Sequence, residues 1–356
     1  MKKKNIIILI LSGLILSACG NDSLDIDSAQ SYVENSNTEN FLGYNFPNQY
    51  IEEVDNVKFD TNIIISDDIN ENGLKEAKAV KHNIDSESIM NTFFNDIELS
   101  KSDEYDMDCY EDGDISIYVY DTSFMMTSDD AYYYSWVADL GNDINEKYKD
   151  KKEFSFATDD SAKEKIITDL NDANFTGDFE ISTYYLDDTM LEEDEQILYN
   201  ETLLDKDDLK DSWDEEDDAY YFAIHQKFQD LPVQYPDGDV FYEYCDGNAP
   251  ITAIEREDGY VQLMIGNTFD FEICGEYLTL KDFSEIANTI AFKYGQLLTD
   301  AKYTVESAKL YYRPTPIDGL EEYDMVPIWQ CDITDDTSGT TSIMYINAIT
   351  GEEVAC

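Results

Sequence analysis

The sequence predicts an α+β fold in which helices pack on antiparallel sheets, with a helix-plus-sheet unit that occurs twice. Three observations predict it. Residues 283–298 place Phe283, Ile286, Ala287, Ile290, Ala291, Tyr294, Leu297 and Leu298 at helical spacing, and three strand-like runs follow. A block of similar order, helix then tyrosine-rich strand, starts near residue 161. The 356 residues are 42% hydrophobic and 13% aromatic, enough to bury a core although 79 acidic side chains face 23 basic ones. One helix across an antiparallel sheet is the economical way to cover both apolar faces.

In chain order, Lys2, Lys3 and Lys4 precede an apolar run over residues 6–16, and Leu16-Ser17-Ala18-Cys19 follows. A basic start, an apolar middle and small residues at a cleavage point are the layout of a secretory signal, and 11 residues are too few to span a bilayer. Leu-Ser-Ala-Cys resembles the bacterial lipobox. That resemblance implies that 1–18 is a lipoprotein signal peptide, that Cys19 becomes the lipidated first residue, and that the protein sits on the extracytoplasmic face of the cell membrane. Residues 19–40, rich in Asn, Ser and Asp, read as a flexible tether.

The formal charge of −56 becomes −59 once 1–18 and their three lysines are removed, leaving 20 basic against 79 acidic side chains. Such a surface repels phosphate backbones and anionic headgroups, so nucleic acid is excluded as a partner and only acyl chains hold the protein at the membrane. With Cys19 lipidated, five cysteines remain, an odd number, and none is spaced C-x-x-C. Cys245, Cys274 and Cys331, set among strand formers, read as small core side chains.

Residues 41–150 form an amino-terminal region of uncertain fold, with helical spacing over 80–94 and 131–148 and a strand over 115–120. Residues 151–278 form a first α+β unit. Ser161-Ala162-Lys163-Glu164 has the form of a capping box, opening a helix that ends at Phe175 and Gly177. A strand over 179–186, a helix over 190–204, a charged and solvated run over 205–218, and strands over 219–228, 260–265 and 268–273 complete that unit. In the carboxy-terminal unit, 279–356, Thr279 and Asp282 repeat the cap pattern before the long helix. Strands then run over 303–313, 326–333 and 342–349; Pro314 and Pro316 open a loop, and Pro327 lies at a strand start or edge.

Val326-Pro327-Ile328-Trp329, followed by Tyr345-Ile346-Asn347-Ala348-Ile349-Thr350-Gly351-Glu352, resembles the closing signature of PepSY-like and YycI-like domains. Tyr220-Tyr221-Phe222 with Leu231-Pro232-Val233 is similar to the corresponding strand and turn, and the whole resembles uncharacterised lipoproteins of clostridial Gram-positive bacteria. The resemblance covers residues 151–356. It implies a non-catalytic module that binds or regulates a protein or peptide partner in the cell envelope, in some members a sensor kinase or a protease. The kinase regulators anchor through an amino-terminal transmembrane helix, and a lipidated Cys19 departs from that pattern.

Catalytic motifs are few. His82 and His225 are the two histidines, and no G-x-S-x-G, H-E-x-x-H or phosphate-binding glycine loop occurs. The expectation is that the protein is not an enzyme; a hydrolase of glycans or peptides using a carboxylate pair is the lesser alternative. A solute-binding lipoprotein of a transporter is another, requiring two α/β lobes around a cleft. Asp68-Ile69-Asn70-Glu71-Asn72-Gly73 matches the first half of a calcium loop, with Glu76 at the ninth position but Ala79 where the bidentate glutamate belongs. Asp68, Asn70, Asn72 and Glu76 are thus a weak candidate site for calcium. The 27 tyrosines suit either sheet packing or carbohydrate and peptide contacts.

Overall fold

The computed structural model describes residues 43–94, 100–102, 108–138, 140, 146–175, 177–235, 249–266, 268–297 and 301–354. The signal segment, Cys19 and the tether lie outside the described residues. Along the chain, β1 (Gln49–Val54) and β2 (Val57–Ile64) form a hairpin, followed by α1 (Asp67–Asn72), β3 (Lys75–Lys81) and α2 (Ser86–Phe93). Next come β4 (Ser100–Ser102), β5 (Asp108–Asp112), β6 (Ile115–Val119), β7 (Phe124–Ser128) and α3 (Ala131–Val137). The middle holds α4 (Asp159–Asp172), β8 (Asp178–Leu186), α5 (Asp188–Asn200), β9 (Ala219–Phe228), β10 (Leu231–Pro232), β11 (Ile251–Arg256), β12 (Gly259–Ile265) and β13 (Phe269–Tyr277). The end holds α6 (Phe283–Gly295), β14 (Tyr303–Pro316), β15 (Tyr323–Asp335), β16 (Thr341–Asn347) and β17 (Glu353–Val354).

These elements build an α+β fold on two sheets. The first runs β1-β2-β14-β15-β16-β17, with β3 against one end of β15 and β13 outside β3. The second runs β10-β9-β11-β12-β7-β6-β5-β4, with β8 on the other side of β9. Among the described strands pairing is antiparallel except between β2 and β14, which run parallel, as the long stretch of chain between them permits; an isolated bridge of Val233 to Tyr312 is also parallel. Residues 41–150 thus supply strands to both sheets, and β13, ahead of residue 279, belongs to the first.

The long helix lies where its spacing places it. Phe283, Ile286, Ala287, Ile290, Ala291 and Tyr294 are buried against Val57, Phe59, Val305, Leu310, Trp329 and Ile346 of the first sheet. On the second sheet, α4 buries Ala162, Ile166 and Leu170 over Tyr220, Phe222 and Ile224. The opposite face of β9, carrying Tyr221 and Ala223, is covered by Tyr134 and Val137 of α3 and Leu191 of α5. A strand covered on both faces has no polar side, hence the unbroken apolar run Ala219 to Ile224. The two helix-and-sheet blocks differ in order: after α6 the strands β14, β15 and β16 follow one another and pair in sequence, whereas α5 stands between β8 and β9 after α4, and β10 between β9 and β11.

Several local expectations are corrected. The cap of α4 is Thr158, with Ser161 three residues inside the helix; each hydroxyl accepts the other's backbone N–H, at 3.2 and 2.9 Å. Asn174, not Gly177, takes the left-handed turn that ends this helix (φ 70°), and the Phe175 N–H reaches back to the Leu170 carbonyl. Thr279 caps nothing, since α6 begins only after Asp282. Pro314 and Pro316 stay inside β14. They pair with Met325 and Tyr323 on one side, while pairing with β2 on the other stops at Lys309, so no ladder needs their missing N–H. Pro327 sits in the gap on β15 between its β3 and β16 partners, a local edge inside a long strand. The stretch 80–94 divides into the end of β3 and α2, and 131–148 into α3 and a separate turn at Glu146–Lys149.

Candidate functional site

The corner where β7 turns into α3 carries two exposed aromatic side chains, Tyr132 and Trp136, beside a cavity. Its sequence is Ser128-Asp129-Asp130-Ala131-Tyr132-Tyr133-Tyr134-Ser135-Trp136-Val137. Helical spacing turns Ala131, Tyr134 and Val137 inward, so Tyr132 and Trp136, four residues apart, must share the outer face. Their rings lie 5.9 Å apart, with Tyr132 44% and Trp136 55% exposed. Below them is a recess of about 610 Å³ whose polar lining includes Thr127, Ser128, Asp129, Ser135 and Gln262. The Ser128 hydroxyl is buried there without a hydrogen-bond partner.

On the other side of the same turn, Asp130 opens a second well, of about 410 Å³. Asp130, Asp214, Glu216, Asp217, Glu257 and Asp258 line it with Lys210 and Arg256. Arg256 holds Asp258 through two nitrogens at 3.1 and 3.0 Å and reaches Asp130 at 2.7 Å. Lys210 donates to the buried Asp217 at 2.9 Å, and the Tyr134 hydroxyl donates to the Asp217 carbonyl. Burial works against the Arg256 charge, but the Asp258 and Asp130 carboxylates outweigh it and raise its pKa; burial likewise pushes the Tyr134 phenol up. The run 205–218, expected to be wholly solvated, is therefore partly packed. Its 3-10 turn at Glu215–Asp217, capped by the Asp214 carboxylate, tucks Asp217 inward, and Trp213 packs edge-on against Tyr134 at 5.7 Å.

The calcium-loop residues do not assemble. Asp68, Asn70 and Asn72 lie in helix α1, where alternate residues point about 200° apart, and Glu76 lies on β3. The Asn70 side chain is already engaged: its oxygen accepts the Phe46 N–H at 3.1 Å and its amide donates to the Phe46 carbonyl at 3.2 Å. Of the histidines, His82 pairs with Asp270 at 2.9 Å and meets Phe175 at a tilt of 47°, while His225 sits in β9 opposite Glu180. Cys109 and Cys331 are buried and burial raises the Cys331 thiol, but Cys274, expected in the core, is exposed on β13, which pairs on one side only. Cys245 lies outside the described residues.

One carboxylate trio, Asp187, Asp188 and Asp218, stands close together. Its members serve the start of α5: Asp187 accepts the Met190 N–H and pairs with Lys152 at 2.7 Å, and Asp218 accepts the Asp188 N–H. Burial, with the Asp188 and Asp187 charges added, pushes Asp218 up to about 6 against that hydrogen bond. A carboxyl raised on folding binds its proton more tightly in the native state, so its contribution to stability falls as pH rises from the unfolded value, near 4, through about 6. Asp218→Asn keeps the acceptor oxygen and removes the charge. Thermal melts are expected to show this variant more stable than the parent at pH 7.5, with the gain shrinking at pH 4; an equal difference at both pH values would contradict the charge account.

The sequence held a sign of the aromatic corner that composition alone obscured. The count of tyrosines leaves sheet packing and ligand contacts both open, whereas helical spacing over 131–137 places Tyr132 and Trp136 on the face opposite Ala131, Tyr134 and Val137.

Comparison with known proteins defines a fold and stops there. No family model and no curated protein matches the chain. An uncharacterised protein from Eubacterium rectale is similar in structure, with a TM-score of 0.61 and 18% identity over 87% of this chain and 94% of that one. The Bacillus megaterium YpeB C-terminal domain also aligns, at 10% identity over 76% of this chain and 96% of that one, with a TM-score of 0.27. The class these findings define is an α+β, two-sheet architecture shared with the Eubacterium protein.

Proposed function

We propose that the chain is a lipoprotein held by Cys19 on the extracytoplasmic face of the cell membrane. Built on PepSY-like helix-and-sheet units, it binds a protein or peptide partner in the cell envelope and catalyses no reaction. The observation that carries the binding role is the aromatic pair Tyr132 and Trp136, exposed on the rim of a recess rather than buried. Large, rigid aromatic side chains with a polar surround are what protein contacts concentrate their energy on. The basic, apolar and lipobox-like start of the chain supports the anchor. No helix among the described residues is long and apolar enough to cross a membrane. The solute-binding alternative calls for two parallel-sheet lobes, and the mainly antiparallel pairing gives it no support.

Two experiments test the reading. Cys19→Ser is expected to shift the protein from the membrane fraction to the medium, with loss of the lipid mass from the mature terminus. A photo-crosslinking amino acid at position 136 in intact cells is expected to give a reproducible protein adduct. Crosslinking to bulk lipid alone would end the partner-binding reading.

A further inference from the structure

We infer that the partner segment recognised at the α3 corner is basic and apolar together: a Leu- or Phe-like side chain on Tyr132 and Trp136, and a Lys or Arg in the adjoining well. The inference rests on the binding role proposed above and specifies its chemistry.

Charge decides first. The well has six carboxylates and two cations. Both cations are already paired: Lys210 with the buried Asp217, and Arg256 with Asp130 and the exposed Asp258. Asp214, Glu216 and Glu257 remain exposed at its mouth with no balancing base among the well's lining. A cationic side chain entering there meets an excess of four formal negative charges, the difference between those six and two, on a chain whose net charge is −56. An anionic ligand is opposed by the same field.

Geometry decides second. Asp130 lines the well, and its chain neighbours Asp129 and Ala131 line the recess, so one turn carries the walls of both depressions. A ligand covering the corner touches both. The recess offers ring surface, which accepts apolar groups and also attracts cations to the ring face. A neutral glycan would engage the recess alone, through Asp129 and Gln262, and would gain nothing from the carboxylates next door. An extended polypeptide carrying alternate apolar and basic residues uses both.

The test takes the full mature protein and titrates it with a ten-residue peptide alternating Lys and Leu, its Glu and Leu counterpart, and cellohexaose. Trp136 is the exposed one among three tryptophans, since Trp213 and Trp329 are 8% and 0% exposed, so intrinsic fluorescence reports on this corner. Calorimetry gives the affinities of the variants. The Lys/Leu peptide is expected to bind and to change the Trp136 emission. Its Kd is expected to rise at least tenfold both in Tyr132→Ala/Trp136→Ala, which leaves the net charge untouched, and in Glu216→Gln/Glu257→Gln. The exposed α5 pair Glu192→Gln/Glu193→Gln removes the same charge elsewhere and is expected to change little. Equal affinity in all three variants would reduce the binding to bulk attraction and overturn the inference. So would Trp136-dependent binding of cellohexaose or of the Glu/Leu peptide. A cellular adduct at position 136 together with no preference for the basic peptide sinks this inference alone, whereas absence of any protein adduct sinks the binding role itself.

Discussion

Trp329→Ala is expected to lower the free energy of unfolding by about 3–5 kcal/mol, the cost of emptying a fully buried aromatic site. Trp329 is 0% exposed. It stands on β15 between Leu310 of β14 and Ile346 of β16, and its ring meets Phe283 of α6 edge-on at 5.4 Å and Phe46 at 5.2 Å. Truncation would therefore open a void where helix, sheet and the segment before β1 converge. The Trp329 indole N–H is buried with no hydrogen-bond partner, so Trp329→Phe discards an unpaired donor and keeps most of the ring. Its loss is expected to be about half that of the alanine variant or less. Urea titration followed by far-ultraviolet circular dichroism measures both. A loss below about 1 kcal/mol for Trp329→Ala would mean that the site relaxes, against the packing argument.

Gln226→Ala is expected to cost about 3 kcal/mol, because the side chain does the work of a missing strand. Gln226, on β9 of the second sheet, is 5% exposed. Its amide donates to the Phe269 carbonyl at 2.9 Å and its oxygen accepts the Phe269 N–H at 2.8 Å, the two groups with which β13 would otherwise bond a neighbouring strand. The Tyr235 hydroxyl donates to the same oxygen, and burial pushes that phenol far up, so it stays protonated as a donor. Alanine leaves all three groups buried and unpaired, each costing about 1–3 kcal/mol less whatever water recovers. The link also joins the two sheets. Amide hydrogen exchange should accordingly quicken at Phe269 in the variant more than in the centre of β15, and uniform acceleration would count against a local role.

Much of this fold was legible because certain segments have one way to satisfy their pattern. Residues 283–294 repeat apolar side chains on a single helical face, whereas the alternation along β2 lay inside the region of uncertain fold. The span 219–228 coincides with β9. Its tyrosines and isoleucine were readable as a strand, but nothing in the run says that α4 covers one face and α3 with α5 the other. The caps were misplaced for a related reason. Ser161 and Thr279 both fit a four-residue pattern, yet the residue that caps is the one whose backbone leaves helical geometry, and that is decided by where the preceding chain arrives. Asp68 to Gly73 shows the same ambiguity. The letters fit a calcium loop, but contacts between Asn70 and the distant Phe46 make the segment a helix end.

Taken alone, the order of residues determined the α+β class, the helix that lies over the carboxy-terminal meander, the strongly acidic net charge, and the expectation of a lipid anchor at Cys19. These follow from local pattern and summed charge, which need no knowledge of distant neighbours. Tertiary structure decided the parallel seating of β2 on β14, the sharing of the amino-terminal strands between two sheets, and the meeting of Asp130, Asp217 and Arg256 beside Tyr132 and Trp136. Those groups lie up to 126 residues apart, and only the folded chain brings their charges and rings to one corner.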